Sequence, residues 1–293
     1  MIVALCGVGC GGAADVCVRD SECESGFCRA DGTCGPAVDG DAMPPDGPTD
    51  GTSELCSPNH DGSIARTEVP LAAGKMANFR IATDATFNTA GAAAGDGTRT
   101  WNLDLALAND ADKQIALLAP TGQWWAASFP TASYAVTLAE GSDLLGVFEI
   151  DDTALTLLGV VSPEDGSSRT ELAYDPPAKI LQFPLAPAAT WTTTSTVTGT
   201  AAGVLILGGT SYTEQYDATV DVTGTMTTPY GDFPVLRVAT DLDRRNIFAV
   251  QLEATRSFAW IAECFGSVAN ATSQSLESAQ EFSDPAEVRR ITP

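Results

Sequence analysis

The sequence predicts a mainly β protein, an antiparallel sandwich or a strongly curved open barrel, preceded by a small disulfide-rich module. Three observations carry that reading. Tyr216, Ala218, Val220 and Val222 share one parity and Thr219, Asp221 and Thr223 the other, the period of two of a strand with one wet face. Thr228-Pro229-Tyr230-Gly231-Asp232 then turns the chain, with Pro229 presetting φ and Gly231 free to take positive φ. Segments of this kind, about a dozen, recur at spacings of roughly 8 to 15 residues, and long helix-period stretches are rare.

Taken in order, strands are expected over residues 76–81, 101–107, 114–119, 134–138, 144–150, 154–161, 172–174, 180–183 and 191–198. Trp101, Leu103, Leu105 and Leu107 alternate with Asn102, Asp104 and Ala106, a half-buried strand. Residues 144–150 and 154–161 are nearly continuous apolar runs, which predicts places in the middle of the sheet. Pro176 and Pro177 lack backbone donors and are expected to end the strand over 172–174. The Gly- and Ala-rich run 90–97 reads as a loop. Asp241, Asp243, Arg244 and Arg245 read as a charged hairpin tip, and residues 284–291 as one short helical turn.

Composition bounds the function. The 293 residues carry 38 acidic and 15 basic side chains, a formal net charge of −23. Nucleic-acid phosphates require Lys and Arg clusters, and none is present. The same charge disfavours attraction to an anionic membrane surface. The sequence holds no apolar run long enough to span a bilayer as a helix. Phosphate loops, the Gly-x-Ser-x-Gly elbow and the dinucleotide fingerprint are missing too.

The domain order reads as a signal remnant over 1–12, a Cys-rich module over 13–35, an acidic linker over 36–55 and the β domain over 56–293. Residues 1–12, MIVALCGVGCGG, read as the end of a signal peptide without its basic start. Gly7-Val8-Gly9-Cys10 resembles a bacterial lipobox, although Gly7 stands where Leu is usual. The resemblance implies lipidation at Cys10 and a membrane contact through that anchor only. The alternative is a plain signal or an unstructured start. Cys17, Cys23, Cys28 and Cys34 lie within a piece too short for a core of its own. It resembles small disulfide modules near the N-termini of bacterial surface lipoproteins, and three pairings are open. Zinc is the rival there, disfavoured because no Cys-x-x-Cys knuckle occurs. The linker is Pro-, Gly- and Asp-rich and buries too little apolar area to offset its ordering entropy.

The sharpest local motif runs from Ser57 to Glu68. It resembles the calcium loop of an EF-hand: Asn59 and Asp61 match the third and fifth positions, Gly62 the sharp turn, Ser63 a carbonyl ligand and Glu68 the bidentate twelfth. Ser57 departs from the usual Asp, and Pro70 precludes a normal exiting helix. The expectation is a calcium site at Ser57, Asn59, Asp61, Ser63 and Glu68. The alternative is an Asp-Gly turn leading into the first strand. His60, the single histidine, lies in this loop and excludes a multi-histidine metal site.

Phe258, Trp260, Ala262 and Cys264 share one parity, so Cys264 is expected to point inward. Cys56 is its only partner outside the small module, which predicts a Cys56–Cys264 disulfide. Two free thiols are the alternative, disfavoured in an exported protein. Trp124 and Trp125, on a strand, would face opposite sides, so one is a candidate stacking platform for a ligand; packing with Phe129 is the alternative. Asp151 and Asp152 read as a solvated turn rather than an acid–base pair.

The run Thr228-Pro-Tyr-Gly-Asp-Phe-Pro-Val-Leu-Arg-Val238 resembles the P-x-G-x-F-x-x-x-R-V hairpin of bacterial exported β proteins. Phe183-Pro-Leu185 followed by Trp191, and Phe258-Ala-Trp260 with Phe265-Gly-Ser-Val268, resemble other segments of the same proteins. The resemblance covers about residues 180–273. It implies an exported β domain, in some members shaped as the half-barrel of periplasmic lipoprotein carriers, and little about function. The expectation is a non-catalytic, lipid-anchored protein of the cell envelope or exterior that binds an unidentified ligand. A carrier of an apolar ligand in a half-barrel and a secreted hydrolase are the alternatives.

Overall fold

A computed structural model of the chain describes residues 56–202 and 210–293. The expectations at Cys10, at Cys17, Cys23, Cys28 and Cys34, and for the linker lie outside the described residues. Fourteen strands are found among the described residues, joined in one sheet. They are β1 (Met76–Thr83), β2 (Ala92–Ala93), β3 (Arg99–Asn102), β4 (Ala111–Ala116), β5 (Tyr134–Thr137), β6 (Leu145–Ile150) and β7 (Ala154–Val161), followed by β8 (Glu171–Gln182), β9 (Thr190–Thr200), β10 (Thr210–Thr228), β11 (Gly231–Asn246), β12 (Gln251–Ala262), β13 (Gly266–Thr272) and β14 (Glu287–Ile291). Neighbours run β4-β1-β14-β13-β12-β11-β10-β9-β8-β7-β6-β5. Pairing along this path is antiparallel; only β3, hairpinned to β2, lies parallel to β10.

The two ends of the sheet almost meet. Just past β4, Leu118 exchanges backbone hydrogen bonds of 2.8 and 2.9 Å with Ala135 of β5. Lys113 of β4 adds an ion pair across the seam to Glu140 at 3.0 Å. The architecture is therefore a nearly closed barrel, the second of the two arrangements expected. Its interior is one apolar cluster in which Tyr134 and Phe148 of β5 and β6 join Trp191, Tyr216 and Ile261 of β9, β10 and β12. Strands so far apart in the order share a cluster only if the sheet curls around it.

Side chains of the opposite parity point outward and are covered in two places. The loop over 120–132 lays Trp125 and Phe129 on Val147, Leu158 and Val161. The segment before β4 lays Phe87, Trp101 and Leu103 on Phe258 and Trp260. The first cover explains why β6 and β7 are apolar on both faces. They lie near one end of the strand order rather than in its middle, and a loop, not flanking strands, buries their outer side.

The β10–β11 ribbon serves both layers. Tyr216, Ala218 and Val220 face the interior. A bulge between Val220 and Val222 then reverses the parity, so Val222 and Met226 pack in the outer cluster instead of continuing inward as expected. One edge of β10 pairs β9 as far as Thr219 and β3 from Gly224 onward. Gly224 permits that approach: a Cβ there would sit 1.8 Å from the carbonyl oxygen of Arg99.

Four other expectations change. Pro176 and Pro177 do not end a strand, because β8 runs through them. Toward β7, Tyr174 to Pro177 bulge opposite Leu158 between the pairs Ala173–Gly159 and Ala178–Leu157, while Tyr174 and Asp175 stay paired with Val197 and Thr196 of β9, so neither proline stands in a ladder pair. The strand expected over 101–107 stops at Asn102, and Leu105 is 65 % exposed. Buried Arg290 takes the carbonyls of Leu103 and Leu105, which leads that segment away from the ladder. The tail forms β14 rather than a helical turn, since β1 and β13 both offer it an edge. Asp241, Asp243, Arg244 and Arg245 lie within β11; the hairpin tip beyond them is apolar.

The segment over 56–71 straps one end of the barrel. Cys56 and Cys264 form a disulfide, as expected. Cys264 sits in the turn between β12 and β13 at φ 66°, not on the inward face of a strand. Ile64 and Leu185 exchange backbone hydrogen bonds of 2.8 Å, and the Cys264 N–H donates to the Glu68 carbonyl at 2.7 Å. Ile64 and Val69 are thereby buried in the interior cluster. With a sequence separation of 208 between the cysteines, cross-linking removes about 5 kcal/mol of chain entropy from the unfolded state. Replacing Cys264 by Ser is expected to lower unfolding free energy by about 2–5 kcal/mol in denaturant titrations. An unchanged midpoint would mean that the backbone contacts alone hold the strap.

Candidate functional site

The strap, the β10–β11 turn and the β12–β13 turn enclose a pocket of about 670 Å³ at this end of the barrel. One wall is Pro58, His60, Gly62, Ser63 and Ile64 of the calcium-loop-like segment. The opposite wall is the hairpin that resembles exported β proteins, with Tyr230, Phe233 and Val235 facing the space, and Phe265 comes from the turn beside Cys264. The three aromatic rings touch: Phe233 and Phe265 centroids are 4.8 Å apart, Tyr230 and Phe265 5.7 Å, both edge-on. Phe233 is buried, whereas Tyr230 is 50 % and Phe265 38 % exposed. Large aromatics left half open around a concavity are where an apolar group gains most from leaving water.

Polar groups lie at the rim. The Glu263 carboxylate accepts the backbone N–H of His60 at 3.0 Å. The His60 imidazole stands 3.9 Å from the same carboxylate, beyond hydrogen-bond range. Asp232 lines the pocket and accepts the Thr227 hydroxyl at 2.6 Å. Tyr230, Phe265 and Glu263 were missing from the sequence-derived candidates. Aromatics placed at two hairpin turns, where solvent normally selects polar residues, were the available signal.

The calcium-loop residues stand as follows. Asn59 accepts the Asp61 N–H, and Asp61 accepts both the N–H and the hydroxyl of Ser63. Those bonds hold the Asp61 carboxyl below the usual range. Glu68 is buried and accepts the Ala65 N–H at 2.7 Å, capping the 3-10 turn Arg66–Glu68. Ser57 is exposed. Asp61 and Glu68 thus each accept a local amide.

Trp124 and Trp125 lie in the covering loop, not on a strand. Trp125 is fully buried with Phe129, the packing alternative. Trp124 donates to the Ser162 carbonyl at 3.1 Å, and Arg169 lies 4.3 Å from its ring centroid. Neither indole offers a free platform. Asp151 accepts from Thr153 and Ala154 in its turn, which lowers its pKa, and does not pair with Asp152.

Two further polar clusters were not foreseen. Arg237, the arginine of the hairpin motif, is 3 % exposed at the side chain and binds Asp221 and Glu281 at 2.6 and 2.7 Å. It also donates to the Thr89 carbonyl and stacks 4.2 Å from the Phe258 centroid. Burial alone would lower its pKa; the two carboxylates outweigh that and raise it. Inside the barrel, fully buried Glu214 accepts the Tyr216 hydroxyl at 2.6 Å and Arg244 at 2.7 Å.

Burial first, and the Glu214 charge second, push the Tyr216 phenol far above its ordinary value of 10.0. Tyr174 shifts the same way through burial and the neighbouring Tyr216 and Glu214. The stabilisation from these neutral phenols is whole below pH 10 and is lost as pH rises toward the folded values. Tyrosinate absorbance of Tyr174 and Tyr216 is therefore expected to appear together with unfolding, measured against circular dichroism; ionisation in a folded barrel would contradict the buried cluster. For the Asp61 loop, the local hydrogen bonds predict equal melting midpoints with calcium and with chelator. A rise with calcium would require Glu68 to leave Ala65 and turn to the ion. Comparison of the chain with known protein families, with characterised proteins and with solved structures finds no match.

Proposed function

We propose that the chain is a non-catalytic, exported binding protein of the cell envelope, anchored to a bacterial membrane through Cys10, whose ligand seats an apolar group in the strap pocket. The observation that carries the reading is the half-open aromatic wall of Tyr230 and Phe265 on a concavity of about 670 Å³. Asp232 and Glu263 at the rim favour a ligand whose other end is neutral or cationic. The barrel interior is occupied by Tyr134, Phe148, Trp191 and Tyr216, which favours binding at the mouth over carriage of a lipid inside. The lipobox-like start, the linker and the hairpin resemblance support the location.

The hydrolase alternative rests on His60 and Glu263 sharing the pocket rim. The imidazole is 67 % exposed, and among the described residues no hydroxyl is hydrogen-bonded to it, since Ser63 donates to Asp61. The half-open aromatic wall is the feature that favours binding over that chemistry.

The neutral fluorophore N-phenyl-1-naphthylamine tests it. Saturable binding is expected, weakened about tenfold by Tyr230→Ser with Phe265→Ser. Non-saturable uptake, or equal affinity in the double variant, would overturn the pocket assignment. Anchoring is read separately: full-length chain expressed in a bacterium should move from the membrane to the soluble fraction on Cys10→Ser.

A further inference from the structure

The strap pocket points to a class of ligand once its charges are taken together with its rings. Of the residues that line it, Asp232 and Glu263 are acidic and none is Lys or Arg. The Glu263 side chain is only 13 % exposed. Its Oε2 accepts the His60 N–H at 3.0 Å, and its Oε1 takes no hydrogen bond from the described residues. Asp232 accepts the Thr227 hydroxyl through Oδ1, and its Oδ2 likewise has no partner among them. Other carboxylates drawn into the body, Asp110, Glu214 and Glu281, each hold an arginine. Glu263 faces only the His60 imidazole, at 3.9 Å.

The rings show the same want of a cation. Elsewhere, arginine guanidinium groups lie over Trp124, Tyr212 and Phe258 at 4.3, 5.1 and 4.2 Å from the ring centroids. Among the described residues none lies over Tyr230, Phe233 or Phe265. Phe265 meets both Tyr230 and Phe233 at 68°, so the three rings form a corner rather than a stack. Tyr230 and Phe265 stay partly open to solvent. A cation seated in such a corner meets the electron-rich faces of two rings at once.

We infer that the strap pocket takes an organic cation, an alkyl- or arylammonium whose carbon-clad nitrogen sits against Tyr230 and Phe265 while Glu263 and Asp232 balance its charge. The inference rests on the strap pocket being the ligand site and adds the class of ligand. An anion would meet two carboxylates and no lysine or arginine of the lining. A wholly neutral group covering Glu263 would strip water from Oε1 and replace it with nothing. A hard metal ion prefers oxygen ligands and gains little from rings. An ammonium bearing carbon substituents brings apolar surface and charge in one body. The net charge of −23 draws any cation toward the chain, so selectivity has to be read against a neutral twin of the same shape.

Phenyltrimethylammonium and its carbon isostere tert-butylbenzene are compared as displacers of N-phenyl-1-naphthylamine from the full chain, at about pH 8 to keep imidazole charge out of the comparison. The cation is expected to displace about tenfold better than the isostere. Glu263→Gln with Asp232→Asn should bring that ratio down to about twofold. The amide oxygens can still accept the His60 N–H and the Thr227 hydroxyl, so the melting midpoint should hold; if it falls, the ratio in the parent alone decides. Reading the ratio within each variant removes any change in fluorophore affinity. Glu164→Gln makes the same charge change on an exposed turn outside the pocket and should leave the ratio as in the parent. Saturable fluorophore binding with a ratio near one, a ratio kept by the double variant, an equal fall in Glu164→Gln, or displacement by calcium ion as effective as by the ammonium would overturn the inference and leave the pocket assignment standing. Absence of saturable fluorophore binding would overturn both.

Discussion

The structure depends on a clasp. A barrel whose seam is bridged at Leu118 and Ala135 has an open mouth and an incompletely paired perimeter. The strap fills that mouth with Ile64 and Val69, and the Cys56–Cys264 bond, the Ile64–Leu185 bridge and the Cys264–Glu68 hydrogen bond hold it there. They act together, since ordering sixteen residues of polar loop costs backbone entropy throughout. Together they bury two apolar side chains and leave a concavity between strap and hairpin. Ligand pocket and structural closure are built from the same residues.

Cations are scarce in this chain, with 15 basic side chains against 38 acidic, and the buried ones are arginines. Arg237 ties the Asp221 bulge to the 281 loop and Thr89; Arg290 ties β14 to Asp110 and to the carbonyls of Leu103 and Leu105. Arg244 joins Glu214 and Glu253 across three strands. A guanidinium satisfies several acceptors in one plane, which a lysine ammonium does not do with the same geometry. Removing one partner would leave a charge buried without its mate, which costs far more than the intact pair contributes.

Strand identity was legible because period-two alternation is local: β1, β5, β6, β7 and β9 fall close to where residue patterns put them. The Cys56–Cys264 bond was legible by elimination. The closed perimeter was not, since pairing between chain-distant strands leaves no mark on either one. Hydropathy also reads arginine as solvent-facing, so Arg290 and Arg237 concealed β14 and the true role of the hairpin motif. The prolines of β8 misled because their tolerance depends on a bulge in β8 that lifts them out of the ladder with β7. The pocket was half visible: both of its walls had been singled out as motifs, but nothing in sequence brought residues 57–68 against 228–236.

The parity reversal at Asp221 has a wider consequence. Because Val220 belongs to the inner layer and Val222 to the outer one, a single ribbon is shared by two hydrophobic bodies. Neither body can melt while the other persists without tearing that ribbon midway. The barrel and its coat of loops should thus behave as one cooperative unit, with no separable subdomain for a protease or a denaturant to release first.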